Sequence, residues 1–264
     1  MKYLQSRENP FFKELARLAG SARQRGKHKQ TLLDGAHLLA AYLDAGMQPQ
    51  HLLLNAAALK DAEIGSLLER VNAPVTQLDD RLFAELSELK TPGGLLAVIG
   101  LPPEVNSASH FALLVEDIQD PGNLGSILRS AAAAGCDAVY LSAGCADAWS
   151  PKVLRAAMGG HFSLQIHEGQ DLLAVAGKFS GLLLATGLEA KMSLYDCDLR
   201  SDLAFMLGNE GAGLSAGLLK LATQRITIPM PGRVESLNVA AATAICLFET
   251  VRQRGGRQTV HEIP

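Results

Sequence analysis

The chain has 264 residues, 48% of them hydrophobic and 19% charged, with a net charge of −3. This is the composition of a soluble globular protein with core enough for about two domains, and no apolar stretch approaches the ~18–20 residues of a membrane span. Cys136, Cys145, Cys197 and Cys246 stand far apart without a CxxC pair, and the histidines lack ligand spacing, so neither a metal nor a disulfide framework is expected.

The first thirty residues carry eight Lys or Arg against two acids, leaving sixteen against twenty-five for the rest. They lack the apolar run of a secretory signal, which with reduced thiols points to the cytoplasm. Asn9-Pro10 reads as a helix start, cap followed by first-turn proline, and Phe11, Phe12, Leu15, Leu18 and Ala19 follow at helical spacing. After Gly20 a basic run containing Arg23, Arg25, Lys27 and Lys29 reads as a mobile loop able to neutralise phosphates; the alternative is a solvated helix end. From Thr31 the pattern alternates: helix Leu38–Leu43, strand His51–Leu54, helix Ile64–Val71, strand Val75–Leu78, helix Arg81–Leu89 and strand Leu95–Ile99. His37 falls on an apolar face and reads as a structural histidine. This small α/β domain spans residues 1–100, and a Pro- and Ser-containing linker occupies 101–110.

Residues 111–264 repeat the alternation more strongly. Strands are expected at Ala112–Glu116, Ala138–Leu141, Ser163–Ile166, Gly181–Ala185, Leu203–Leu207 and near Arg225–Ile228. Helices are expected at Leu124–Ala134, Pro151–Met158, Asp171–Lys178, Ala216–Ala222 and Leu237–Arg252. Five or six mostly parallel strands with helices on both faces follow from that order.

Three polar, glycine-rich corners stand at strand ends, where open α/β sheets bind ligands. They are Asp120-Pro-Gly-Asn123-Leu-Gly-Ser-Ile-Leu-Arg129, then Leu207-Gly208-Asn209-Glu210-Gly211-Ala-Gly213-Leu-Ser215, then Ile228-Pro229-Met230-Pro-Gly232-Arg233-Val-Glu235-Ser236-Leu237-Asn238-Val239. The second runs G-x-x-G-x-G, the reverse of the dinucleotide fingerprint, and no ATP-type phosphate loop is present. Singly each segment reads as a turn. In this order and spacing they resemble the three signature motifs of the SpoU/TrmH family of RNA 2′-O-ribose methyltransferases, in the SPOUT superfamily. Leu33-Asp-Gly35 and Thr91-Pro-Gly-Gly-Leu-Leu-Ala-Val98 resemble the ribosomal-protein-like RNA-binding domain that many of these enzymes carry.

The resemblance implies a catalytic domain ending in a trefoil knot, S-adenosylmethionine as cofactor, RNA as substrate and a homodimer. It places Arg129 at the ribose 2′-hydroxyl, with Asn123, Glu210, Ser236 and Asn238 as the other catalytic candidates. The resemblance gives Arg129 the role of a general base; because a guanidinium hardly deprotonates, stabilisation of a developing alkoxide, or a neighbouring phosphate that takes the proton, is the alternative. Asn123 caps its helix and orients Arg129 or the ribose, Glu210 holds Arg129 or a partner's loop, and Ser236 and Asn238 position substrate or the methionine moiety, with a cap of the last helix as the other reading of Ser236. Cofactor contacts are expected from Thr186, Gly187, Gly208, Ile228, Met230 and Leu237, though Met230 would equally suit a core. Lys152 and Arg155 share a helix face and join Arg23, Arg25, Lys27 and Lys29 as RNA-binding candidates, or form a solvated face. Ala157 stands where the family usually has Ser, so a hydroxyl contact there is lost. The expected reaction is methyl transfer to a 2′-OH of structured RNA, ribosomal RNA first and transfer RNA as the alternative. A non-catalytic RNA-binding module and a nucleotide-dependent oxidoreductase are the rival readings.

Overall fold

The computed structural model describes residues 1–89, 93–103, 105, 108–209 and 211–255. The chain divides into two units: Met1–Glu104 with Asp147–Ser163, and Val105–Ala146 with Leu164–Pro264.

In the first unit, strands β1 (Lys2–Leu4), β2 (Gln30–Asp34), β3 (His51–Leu54), β4 (Val75–Leu78) and β5 (Leu95–Gly100) form a sheet of order β1-β4-β3-β5-β2. The β1, β4 and β3 strands run parallel, and β5 lies antiparallel to β3 and β2. Helices α1 (Pro10–Gly20), α2 (Ala22–His28), α3 (Ala36–Asp44), α4 (Ala62–Glu69) and α5 (Asp80–Leu86) connect them. Asn9 caps α1 by accepting from the Phe11 N–H, with Pro10 in the first turn, as the Asn-Pro pair requires. Phe12, Leu15 and Leu18, one helical turn apart, pack against Leu32, Leu53 and Leu96 of the sheet and Leu82, Phe83 and Leu86 of α5.

Two readings of this half need correction. The basic run is a helix, α2, capped by the Ser21 hydroxyl and closed by Lys29 in the left-handed region (φ 53). His37 is not inside: its side chain is 82% exposed, beside Glu63. Part of the Thr91-Pro motif, Thr91 and Pro92, lies outside the described residues.

The rest of the chain supplies β6 (Phe111–Val115), α6 (Pro121–Ala134), β7 (Ala138–Leu141), α7 (Pro151–Ala157, within the first unit), β8 (Gln165–His167), α8 (Leu172–Lys178), β9 (Leu182–Thr186), β10 (Met192–Ser193), β11 (Leu203–Leu207), α9 (Ala216–Leu221), β12 (Gln224–Thr227) and α10 (Val239–Gln253). The second unit's sheet has seven strands, one more than expected at most, in the order β10-β12-β9-β11-β6-β7-β8. Every neighbouring pair is parallel. Both faces are covered, which is why β6 and β11 are buried at every position. Ala112, Leu114, Leu183, Ala185, Ala204 and Met206 meet Leu172 and Ala176 of α8 and Leu218 of α9. The alternate residues Leu113, Leu184 and Phe205 are fully buried too. On that side α10 packs against β11 and against α6.

Candidate active site

Parallel strands end on one edge, so β9, β11 and β12, neighbours in the sheet, bring Thr186, Leu207 and Thr227 side by side at their carboxyl ends. A cavity of about 730 Å³ opens there, within the usual range for a small-ligand site. The six residues expected to contact a cofactor, Thr186, Gly187, Gly208, Ile228, Met230 and Leu237, line it, and so do Ser236 and Asn238. Its wall is mostly glycine backbone and apolar side chain, with Glu189 and Arg225 as its described charged members. Cys246 also faces it, but burial pushes the thiol up to about 12, so it is a neutral part of the wall.

Glycine is demanded at position 208. A Cβ there would sit closer than 3.0 Å to the Gly213 carbonyl and the Leu214 nitrogen, all backbone atoms. The loop folds back on itself through an antiparallel bridge between Asn209 and Gly213, and Gly213 takes the left-handed conformation (φ +69). The Asn209 carboxamide oxygen accepts from the N–H groups of Gly211 (2.9 Å) and Ala212 (3.1 Å), and its Nδ2 donates to the Asp117 carbonyl (3.0 Å). Gly187 differs: a Cβ there would meet nothing within 4 Å. The Thr186 hydroxyl donates to the Met206 carbonyl at 3.2 Å, tying β9 to β11 beneath the cavity.

Asn238 caps α10, accepting from Ala240 N–H (2.9 Å) and Ala241 N–H (3.3 Å). Ser236, which competed for that role, is exposed and does not cap. The Asn238 Nδ2 donates to Oδ1 of Asn123 at 2.9 Å, joining the first motif to the third. Asn123 itself is not the cap of α6. Asp120 is, accepting from the Asn123 N–H at 2.8 Å, because Asp followed by Pro121 starts the helix three residues earlier. Arg129 is exposed on α6, six residues beyond Asn123, so about 9 Å along the axis and about a third of a turn round. It is not among the residues lining the cavity. Glu210 lies outside the described residues.

The basic candidates separate into two kinds. Arg23, Lys27, Lys29 and Lys152 are exposed. Arg25 is buried, which corrects its reading as an RNA contact. Its Nε donates to Asp147 at 2.8 Å and its Nη1 reaches the Leu18 and Ala19 carbonyls at the end of α1, where a cation satisfies groups the helix leaves open. Arg155 turns inward as well, 3.1 Å from Glu88 and 3.7 Å from Asp34, whose carboxyl burial pushes up. The buried histidine of this unit is His161, with Nε2 against the Ala148 carbonyl at 2.7 Å and burial pushing its pKa down to about 4.

Two residues escaped the sequence reading. Asn209 was visible inside G-N-E-G but was overshadowed by the acid beside it. Glu116 stood only as the last residue of an expected strand, yet its carboxylate accepts from the Ser215 N–H at 2.7 Å. Among the described residues no group of three or more His, Cys, Asp or Glu could hold a metal ion, and no helix is long and apolar enough to cross a membrane.

Comparison with known proteins bears on this site directly. The family model for the SpoU rRNA methylases matches residues 110–248, and the model for the MRM3-like substrate binding domain matches residues 9–97. The chain is 34% identical to a tRNA/rRNA methyltransferase of Synechocystis, itself uncharacterised, over 96% of this chain and 95% of that one. It is 33% identical to the 23S rRNA (guanosine(2553)-2′-O)-methyltransferase RlmP of Bacillus subtilis, over 94% and 98%. Among solved structures, the methyltransferase AviRb of Streptomyces viridochromogenes in complex with AdoMet superposes with a TM-score of 0.84 at 27% identity, over 94% and 98% of the two chains. An RNA 2′-O ribose methyltransferase superposes with a TM-score of 0.82 at 31% identity, over 96% and 99%. A family model that takes in all three glycine-rich corners, together with a relative at one-third identity matched almost end to end, establishes that this chain belongs to the SpoU rRNA methylase family.

Proposed function

We propose that the protein is an S-adenosylmethionine-dependent methyltransferase that modifies a ribose 2′-hydroxyl of ribosomal RNA. The observation that carries this is the cavity at the carboxyl ends of β9, β11 and β12, built from the glycine-rich corners. S-adenosylmethionine fits what is there. The unobstructed backbone at Gly187 and the folded-back loop after Gly208 allow close approach to polar edges, and Ile228 and Leu237 offer apolar walls to a purine. When bound, it supplies a methyl group already activated on a sulfonium.

What remains for the chain is alignment and charge. Arg129 stays protonated and holds the negative charge that develops on the 2′-oxygen, while the proton leaves to a neighbouring phosphate oxygen. Glu210 orients Arg129. Asn123 and Asn238, bonded to each other, fix α6 against the start of α10, and Ser236 on the cavity rim positions substrate. Residues 1–100 act as the RNA reader, joined through residues 101–110 to the catalytic residues 111–264. The exposed Arg23, Lys27, Lys29 and Lys152 contact phosphates. A match to a substrate-binding domain over residues 9–97 supports that division. The same reading includes a trefoil knot at the C-terminal end, a cytoplasmic location and a homodimer, whose interface would cover apolar side chains such as Val234 and Phe248 that this chain leaves exposed.

The test is transfer of labelled methyl from S-adenosylmethionine to ribosomal RNA by the purified protein, read as a ribose-methylated, alkali-resistant linkage. Arg129→Ala should abolish turnover and keep cofactor affinity. Label entering transfer RNA alone would favour the transfer RNA reading. RNA binding without label would leave a non-catalytic module.

A further inference from the structure

One wall of the cavity, the segment 208–215, is fastened near both ends to a pair of residues outside it. At its start the Asn209 Nδ2 donates to the Asp117 carbonyl at 3.0 Å; at its finish the Ser215 N–H donates to Oε2 of Glu116 at 2.7 Å. Glu116 and Asp117 follow β6 directly, and neither lines the cavity. The Glu116 N–H donates to the Leu207 carbonyl at 2.8 Å, so the ladder between β6 and β11 runs one residue past the strand and sets Glu116 beside the loop. Asp117 is one of three described non-glycine residues in the left-handed region (φ 55). It is held there from the other side. Its N–H donates to the Ser142 hydroxyl oxygen (2.9 Å), and that hydroxyl donates to its carboxylate (2.6 Å). A residue kept in a sparsely populated conformation by several partners marks a place where backbone direction matters.

We propose that Glu116 is a positioning residue for the cofactor, with the Asp117 carbonyl as its companion: together they hold the loop in the shape that binds S-adenosylmethionine. This rests on the reading of the cavity given above. The need for such a device follows from the loop's composition. Gly208, Gly211 and Gly213 give it more backbone freedom than any other residue type would, and a loop that must be ordered at the moment of binding costs affinity. A carboxylate accepting a backbone N–H makes a charge-assisted bond, stronger than a neutral one, so Glu116 is the stronger of the two fastenings.

Titration calorimetry with S-adenosylmethionine, alongside steady-state kinetics on ribosomal RNA, tests the proposal. Glu116→Ala should weaken cofactor binding by about tenfold and raise the cofactor KM alike, while kcat at saturating cofactor stays within about twofold. Glu116→Gln, which still offers an accepting oxygen, should restore most of the affinity. The donor side gives a second handle should Glu116→Ala fail to fold. Ser215 has φ −59, which proline adopts, so Ser215→Pro removes the N–H and the hydroxyl and sets its ring against the Glu116 carboxylate. Ser215→Ala removes the hydroxyl alone. Weakened binding in Ser215→Pro with normal binding in Ser215→Ala supports the fastening. Wild-type affinity in both Glu116→Ala and Ser215→Pro overturns it, as does equal loss in Glu116→Ala and Glu116→Gln. A wild-type protein that binds no S-adenosylmethionine instead overturns the underlying reading, and the first titration shows it.

Discussion

Replacing Gly208 by alanine adds one carbon where the structure has no room for it. The new methyl would lie closer than 3.0 Å to the Gly213 carbonyl and the Leu214 nitrogen, against an ordinary contact of 3.4–4 Å. Those atoms are backbone, so no side chain can swing aside; the return limb of the loop must shift by an appreciable fraction of an ångström or more. Overpacking of this kind costs about 1–3 kcal/mol, and rigid opponents put it toward the upper end. The shift strains the Asn209–Gly213 bridge, and it moves Gly213 and Leu214, both cavity-lining. For a chain of this size the melting temperature should fall by roughly 3–10 °C. Calorimetry should show S-adenosylmethionine binding at least about tenfold weaker, since ~1.4 kcal/mol is a factor of ten. Gly187→Ala serves as the control for stability, because a methyl there meets nothing within 4 Å. Its melting temperature should match the wild type. A Gly208→Ala protein that melts and binds like the wild type would refute the argument from close approach.

Two further outcomes concern the first unit. Arg25→Ala leaves Asp147 and the last carbonyls of α1 without their cation, so denaturant unfolding should show a loss of about 3 kcal/mol. Alanine at the exposed Arg23, Lys27 and Lys29 should instead leave stability within about 0.5 kcal/mol and flatten the salt dependence of RNA binding. Burial pushes the pKa of His161 from an ordinary 6.5 down to about 4. The folded state therefore favours the neutral ring. Its contribution is complete above pH 6.5, declines as pH falls toward 4 and is exhausted below that, a total of about 3 kcal/mol. Urea unfolding at pH 7 and pH 4.5 should show this loss in the wild type and a smaller one in His161→Gln; identical pH profiles would refute it.

Long apolar runs and punctuated corners made most of the second unit legible. Phe111–Val115 and Leu203–Leu207 are buried at all five positions, which only a sheet covered on both faces produces, so a parallel architecture followed from the runs themselves. The short strands were invisible for a physical reason: β1 and β10 have three and two residues and acquire strand geometry from their neighbours, not from pattern. The α2 helix was hidden because Gly26 and a crowd of cations mask a helix whose buried member, Arg25, is a charge. Asn123 drew attention as a cap because the motif points to it, while the Asp-Pro pair three residues upstream had the stronger claim. The cavity's membership was foreseeable only by resemblance. Strands β9, β11 and β12 are neighbours in an order that pattern along the chain does not reveal. The need for glycine at 208 depends on where Gly213 returns, which composition leaves open.

The excursion of Asp147–Ser163 into the first unit changes how the chain can be cut. A fragment ending near residue 104 would keep Arg25 and lose the carboxylate that neutralises it, and would leave the Thr31 hydroxyl, now 2.6 Å from the Trp149 carbonyl, without its acceptor. Its complement, beginning near residue 105, would carry α7 as a spare helix whose buried face, Val153, Leu154 and Ala157, had nothing to rest on. Anyone wishing to study the first unit alone should graft residues 147–163 back onto it through a short linker. Each unit is compact in space but interrupted in sequence, so the first is not whole until residue 163 has been made.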